Sequence, residues 1–246
     1  MYSISGRTAL ITGGAHRIGK ALCTGLAQAG ANVIVHFNSS SEAAATVAEE
    51  IRSLGAKAWT LEADLADRKQ CASMIDRANE MSGPIDMLVN NASVFPEDTI
   101  DDLTGEDLDF NVQVNAFAPL VLSRSFAAQQ QNGVIVNLLD SKISSYDRTH
   151  AAYHLSKRLL YTLTRMLSLE LAPGIRVGGV APGLVLPPPG KDESYLEELK
   201  HTLPLQRYGD VESVFEAVRF LIASDFVTGQ IIYVDGGHNL RSALYC

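Results

Sequence analysis

A tyrosine and a lysine four residues apart, Tyr153 and Lys157 in "YHLSK", form the pair in this chain best suited to moving a proton. They sit in a stretch with helical apolar spacing, where positions i and i+4 share a face. An ammonium beside a phenol favours phenolate and lowers the phenol's pKa. That suits a general acid near neutral pH. Such a pair is commonplace on helix surfaces. Its position gives it weight, because it opens the helix that follows the fifth apolar strand of the chain.

A second group of residues can hold an anion. "TGGAHRIG", residues 12–19, follows the apolar run Thr8-Ala9-Leu10-Ile11. Gly13 and Gly14 permit a tight turn, and Gly19 lets the helix beginning near Ile18 pack close to the strand. A helix N-terminus offers free N–H groups and a positive dipole to a pyrophosphate. The plain alternative is a turn without a ligand, but a turn after the first strand favours a nucleotide. Arg17 stands where a dinucleotide turn wants glycine. The second strand runs into His36-Phe37-Asn38-Ser39-Ser40-Ser41 and carries no acid for a ribose hydroxyl. A 2′-phosphate would not be repelled there. Arg17, His36, Asn38, Ser39 and Ser40 can bind it, so the expected cofactor is NADP(H). One serine can instead cap the helix before Glu42.

These residues need a scaffold, and the pattern supplies one. Apolar runs at 8–12, 32–37, 57–61, 87–90, 133–138, 176–180 and 230–234 alternate with helical patterns at 18–29, 42–54, 68–81, 106–130, 151–171 and 211–223. Continuous apolar strands belong to parallel sheets covered on both faces. The expectation is α/β: a single Rossmann-type doubly wound domain over 1–246, with about seven parallel strands flanked by helices on both faces. Residues 183–205, with Pro187-Pro188-Pro189-Gly190 among them, read as an irregular lid over a site.

The bulk numbers narrow the classes. A net charge of −8 and a pI near 5.2 argue against a nucleic-acid partner. Cys23, Cys71 and Cys246 are scattered, so neither a disulfide framework nor a thiolate zinc site is expected. The six histidines have no metal spacing, and no metal is expected. There is no signal-peptide pattern and no membrane-spanning run, so a cytoplasmic protein is expected.

Taken in order, the motifs resemble the short-chain dehydrogenases/reductases. The matching elements are the turn at 12–19, "NNAS" at 90–93, Asn115 in "VNAFAP", "YHLSK", "APG" at 181–183 and "VDGG" at 234–237. The resemblance covers nearly the whole chain. It implies nicotinamide hydride transfer and a homotetramer. Arg17 replaces the turn's middle glycine, Ser93 the last glycine of "NNAG", and Asp140 the family's catalytic serine, thirteen residues before Tyr153. Together these departures resemble pteridine reductases and related dihydropterin reductases.

That resemblance implies roles. Arg17 would lie near the cofactor phosphates and the pterin. Phe95 would stack on the pterin opposite the nicotinamide, and Ser93 and Leu184 would line its pocket. Tyr153 and Asp140 would govern proton delivery to a ring nitrogen. Lys157 would bind the nicotinamide ribose, and Asn115 would hold the lysine and a water in a relay. Asp64 and Leu65 would flank the adenine, with Asn91, Ala92, Pro182 and Gly183 along the cofactor. Asn90 reads as a strand-end hydrogen-bonder without a ligand. Ser141 remains an alternative catalytic hydroxyl, and Phe95 an alternative core residue. The C-terminal "DGGHNLRSALYC" is expected to bring Arg241 or its neighbours near an active site, its own or a partner's. The implied activity is NADPH-dependent reduction of a pteridine C=N bond of the dihydropterin or dihydrofolate type. The rival readings are a carbonyl reductase (3-oxoacyl thioester or small ketone) and a silent NADP(H)-binding sensor or scaffold.

Overall fold

A computed structural model of the protein describes residues 2–129, 132–188 and 190–243, with side chains as far as residue 240. Seven strands form one sheet, all parallel, in the order β3-β2-β1-β4-β5-β6-β7. They are β1 (Thr8–Ile11), β2 (Asn32–Phe37), β3 (Ala58–Glu62), β4 (Met87–Asn90), β5 (Gly133–Leu138), β6 (Ile175–Pro182) and β7 (Ile231–Val234). β1, β4 and β5 are buried along their whole length. Being covered on both faces, they read as unbroken apolar runs rather than alternating ones.

One face carries α1 (Arg17–Gln28), α2 (Ser41–Ser53) and α8 (Val211–Ala223), which bury Leu22, Leu26, Ile51 and Val218 with β1 and β2. The other carries α3 (Arg68–Ser82), α5 (Ala118–Gln129) and α6 (Ala151–Glu170), with Met74, Ile75, Leu122, Phe126 and Leu167 in its core. α3 and α8 start at aspartates whose carboxylates accept from the first free backbone N–H groups: Asp67 from Lys69 and Gln70, Asp210 from Ser213. The chain order reverses between β1 and β4. In an open parallel sheet that switch point opens a crevice at the strands' carboxyl ends.

Two segments differ from the sequence expectation. The helix expected over 106–130 is broken into α4 (Gly105–Val112), a π-turn (Gln113–Phe117) and α5. The stretch 183–205 is not wholly irregular. It holds α7 (Glu193–Leu199), begun by the Asp192 carboxylate accepting from Ser194 N and anchored by buried Leu196. A 3₁₀ turn, Lys200–Thr202, follows. Short 3₁₀ turns at Ser141–Ser144 and His238–Ala243 follow β5 and β7. Among the described residues no helix is long and apolar enough to cross a membrane.

Candidate active site

The carboxyl ends of β1 and β4 are stitched together. Thr12 Oγ1 accepts from the backbone N–H groups of Asn91 and Ala92, both at 2.9 Å. The Asn91 amide donates to the Thr12 and Gly13 carbonyls at 2.9 and 3.2 Å. Asn90 points the other way, donating to Asn137 Oδ1 at 2.8 Å inside the sheet. In the turn itself, a Cβ on Gly19 would come within 2.0 Å of the Gly13 carbonyl oxygen, so that position accepts only glycine. Arg17 has φ +52°, in the left-handed region where glycine sits at no steric cost. An arginine there costs on the order of 1 kcal/mol. Its guanidinium donates to the Pro187 carbonyl at 2.6 Å, tying the phosphate-type turn to the segment after β6.

His36 corrects an expectation. It is buried, and both ring nitrogens are engaged within the protein. Nδ1 accepts from Gly13 N at 3.0 Å, and Nε2 therefore donates to the Ala63 carbonyl at 3.0 Å. Burial pushes its pKa down to about 4, so the ring is neutral at physiological pH. Rather than binding a phosphate, it props the turn. Asn38 lines the cleft, whereas Ser39 and Ser40 do not. Ser40 stands at the N-cap of α2 without a side-chain cap bond, so the capping alternative does not account for it either. Ile18, Asp64, Leu65, Asn91 and Ala92 line the same cleft.

The proton-bearing groups converge at the end of β5. Tyr153 Oη donates to Asp140 Oδ2 at 2.9 Å. Asp140 Oδ1 accepts from Lys142 N at 2.7 Å, which starts the 3₁₀ turn and fixes the carboxylate. Ser141 is buried and lines the cleft, but the tyrosine's hydrogen bond goes to Asp140. Lys157 is buried and donates to the Leu138 carbonyl at 2.8 Å, its ammonium 5.7 Å from the Tyr153 ring centre. Burial pushes Lys157 down to about 8, against the opposing pull of Asp140. The Tyr153 phenol shifts opposite to the sequence expectation. Burial first, and then the Asp140 charge and hydrogen bond, raise it well above its usual value. It is held protonated.

Asn115 also departs from expectation. It is fully buried in the π-turn, and its side chain is fully engaged away from Lys157. Oδ1 accepts from Val94 N at 2.9 Å and Ser93 Oγ at 3.0 Å, while Nδ2 donates to Val94 O and Ser156 Oγ, both at 3.0 Å. It positions the Ser93–Val94 segment, and thereby the next residue, Phe95. That ring is 44% exposed at the cleft, which rules out core packing. It meets Tyr153 edge-on, with centroids 4.6 Å apart at 84°.

Ser93, Phe95, Asp140, Tyr153, Pro182, Gly183 and Leu184 thus share one cleft with Gly13, Arg17 and Gly19, of about 900 Å³. Gly183 can only be glycine, because a Cβ would lie 2.7 Å from that of Asp235. Lys142, Tyr195, Leu199 and Leu203 also line the cleft, none of them singled out by the sequence. They fall in or beside a 3₁₀ turn or the seven-residue α7, too short to carry a periodic signal. Arg241's side chain lies outside the described residues. Its neighbour His238 does line the cleft of its own chain, on a turn whose N–H groups at Gly237 and Asn239 donate to the Asp235 carboxylate at 2.9 and 2.7 Å.

Comparison with known proteins agrees with this geometry. A family profile described as enoyl-(acyl carrier protein) reductase matches residues 13–239. An uncharacterised oxidoreductase of Mycobacterium tuberculosis is 33% identical, over 96% of this chain and 94% of its own. Among solved structures, the chain resembles the alternative dihydrofolate reductase FolM of Brucella canis, complexed with NADP (35% identity, TM-score 0.90, covering 97% and 96% of the two chains). A blue fluorescent protein from a metagenomic library, complexed with NADPH, is 31% identical with a TM-score of 0.88 over 96% and 99%. The seven-stranded parallel sheet, the glycine turn at its switch point and the Tyr153/Lys157 pair are carried by a chain that belongs to the short-chain dehydrogenase/reductase family.

Proposed function

We propose that the protein is an NADPH-dependent reductase of pteridines, acting on the C=N bond of a dihydropterin or dihydrofolate. The observation that carries this reading is the Tyr153–Asp140 hydrogen bond beside the edge-on Phe95 ring. A carbonyl reductase of this family uses a neutral hydroxyl where this chain has a carboxylate. An aromatic wall next to the proton donor suits a flat heteroaromatic substrate. The likeness to two Brucella proteins called alternative dihydrofolate reductases supports it.

The residues present fit the cofactor. A Cβ on Gly13 would crowd Ala92 and one on Gly19 would strike the Gly13 carbonyl, so the turn keeps the bare backbone that a pyrophosphate approaches, and no acid stands at the end of β2. Arg17 and Asn38 would hold the 2′-phosphate, with Asp64 and Leu65 beside the adenine. Asn91, Ala92, Pro182 and Gly183 would line the remainder, and Lys157 would hold the nicotinamide ribose. Bound NADPH supplies a hydride. The chain's own residues supply the proton and the geometry. Tyr153, kept protonated by burial and by Asp140, carries the proton for a ring nitrogen and delivers it by turning its hydroxyl from the Asp140 carboxylate to the bound ring. Asp140 holds the hydroxyl in line, Phe95 stacks on the ring, and Ser93 and Leu184 border it. Residues 183–205, with α7, form the lid.

The assembly belongs to the same reading. A stripe along α6, Leu155, Leu159 and Met166, is exposed, as is Phe117. We propose that these faces pair in a cytoplasmic homotetramer. The functional test compares NADPH oxidation with dihydrobiopterin, dihydromonapterin, dihydrofolate and acetoacetyl thioesters. Turnover of the pterins is expected, and activity on the thioester alone would overturn the pteridine reading.

A further inference from the structure

Against the Phe95 ring lies a second ring. His150 stacks on it face to face, with centroids 3.9 Å apart and planes within 12°. His150 lies outside the cleft lining, so its contact with a substrate would be indirect. Its ring is pinned in turn. Nδ1 lies 3.0 Å from Asp147 Oδ1 and 2.9 Å from Thr149 Oγ1. The Asp147 carboxylate also takes Lys142 Nζ at 2.6 Å and Thr149 N at 3.0 Å. Burial alone would raise Asp147, but the hydrogen bonds from Lys142, His150 and Thr149 outweigh it and hold the carboxyl well below its usual range. It therefore stays an anion throughout the working pH range.

The backbone is stitched at the same place. Asp98 N donates to Thr149 O at 3.0 Å, and Asp98 Oδ1 accepts from Ala152 N at 3.1 Å. The loop bearing Phe95 is thus fixed to the first turn of the helix bearing Tyr153. One acid, Asp147, ties the backing ring to Lys142, two residues from the catalytic carboxylate. Without the backing ring, a half-exposed phenylalanine on a loop would be free to turn. Flat stacking needs the ring plane fixed in advance.

We propose that His150 is a positioning residue that sets substrate choice: it clamps Phe95 in the orientation that stacks on a flat heteroaromatic ring. The inference rests on the pteridine reading above. The experiment is steady-state kinetics on His150→Ala and His150→Phe, with dihydrobiopterin or dihydrofolate and with NADPH. Stacked aromatic pairs are worth enough to shift affinity by up to about tenfold. His150→Ala is expected to raise the pterin KM about that much, with kcat and the NADPH KM within about twofold. His150 caps α6 without a side-chain bond, so the truncation leaves the helix start intact. His150→Phe restores the ring without the Asp147 bond and is expected to bring KM back to within about twofold of the original. A His150→Ala enzyme with unchanged pterin KM overturns the proposal. So does a phenylalanine variant as impaired as the alanine one. If the unmodified protein turns over no pterin, the pteridine reading fails by itself. The clamp is then judged on the Kd of a 2,4-diaminopteridine for the NADPH-loaded protein, where the same two variants decide it.

Discussion

The proposed chemistry turns on the carboxylate at position 140. Its two oxygens do separate work, one holding the tyrosine hydroxyl and the other starting a 3₁₀ turn. Asp140→Ala is expected to lower pterin kcat by about 100-fold, the scale of a lost general-acid arrangement, with the NADPH KM within about twofold. Ser141→Ala should leave kcat within about threefold, and stopped-flow NADPH oxidation reads both. His36 gives a second prediction at this scale. Its folded pKa, about 4, lies below the unfolded value of 6.5. The unfolded chain therefore takes up a proton first, and the stability from the neutral ring is lost as pH falls from 6.5 to 4. The loss amounts to about 3 kcal/mol. His36→Gln should be less stable than the parent at pH 7 by about 1–2 kcal/mol, through the weakened bond to Gly13. The gap should close near pH 5.5 and reverse below it, as read by urea denaturation. The phenol and the asparagine show what motif spacing cannot convey. Position alone placed Tyr153, Lys157 and Asp140 together. It gave the wrong direction for the phenol, because burial and a neighbouring carboxylate outweigh an ammonium 5.7 Å from the ring centre.

At the scale of elements, the strands were legible because parallel strands covered on both faces must be apolar throughout. β2, β4 and β5 match their apolar runs end to end. What escaped was local. A π-turn keeps the apolar content of a helix while shifting its register, so α4 and α5 merge into one pattern in the sequence. α7 is only seven residues long and follows a proline run, too short for periodicity to show. Its hold on the protein is Leu196. Leu196→Ala should free the lid at a cost of about 2–4 kcal/mol to its docking. That should appear as faster amide exchange over 193–202 and a raised pterin KM. At the start of α1, Arg17→Gly relieves the left-handed backbone and should not lower Tm. It removes the guanidinium, so the preference for NADPH over NADH should fall about tenfold.

Across the whole molecule, the apolar side chains exposed along one face of α6 are the basis for the proposed assembly. Light scattering should find four copies of the 26.5 kDa chain, and Leu159→Arg should reduce that number. The sheet order also places the tip of β2 beside the turn after β1, joined by the Gly14 N–H donating to the His36 carbonyl at 2.8 Å and by the histidine ring between Gly13 and Ala63. Positions 36 and 38 both line the cleft, and the ring at 36 is the one bonded to the turn. A substitution at residue 38 is therefore expected to alter coenzyme preference without unsettling the turn that His36 holds.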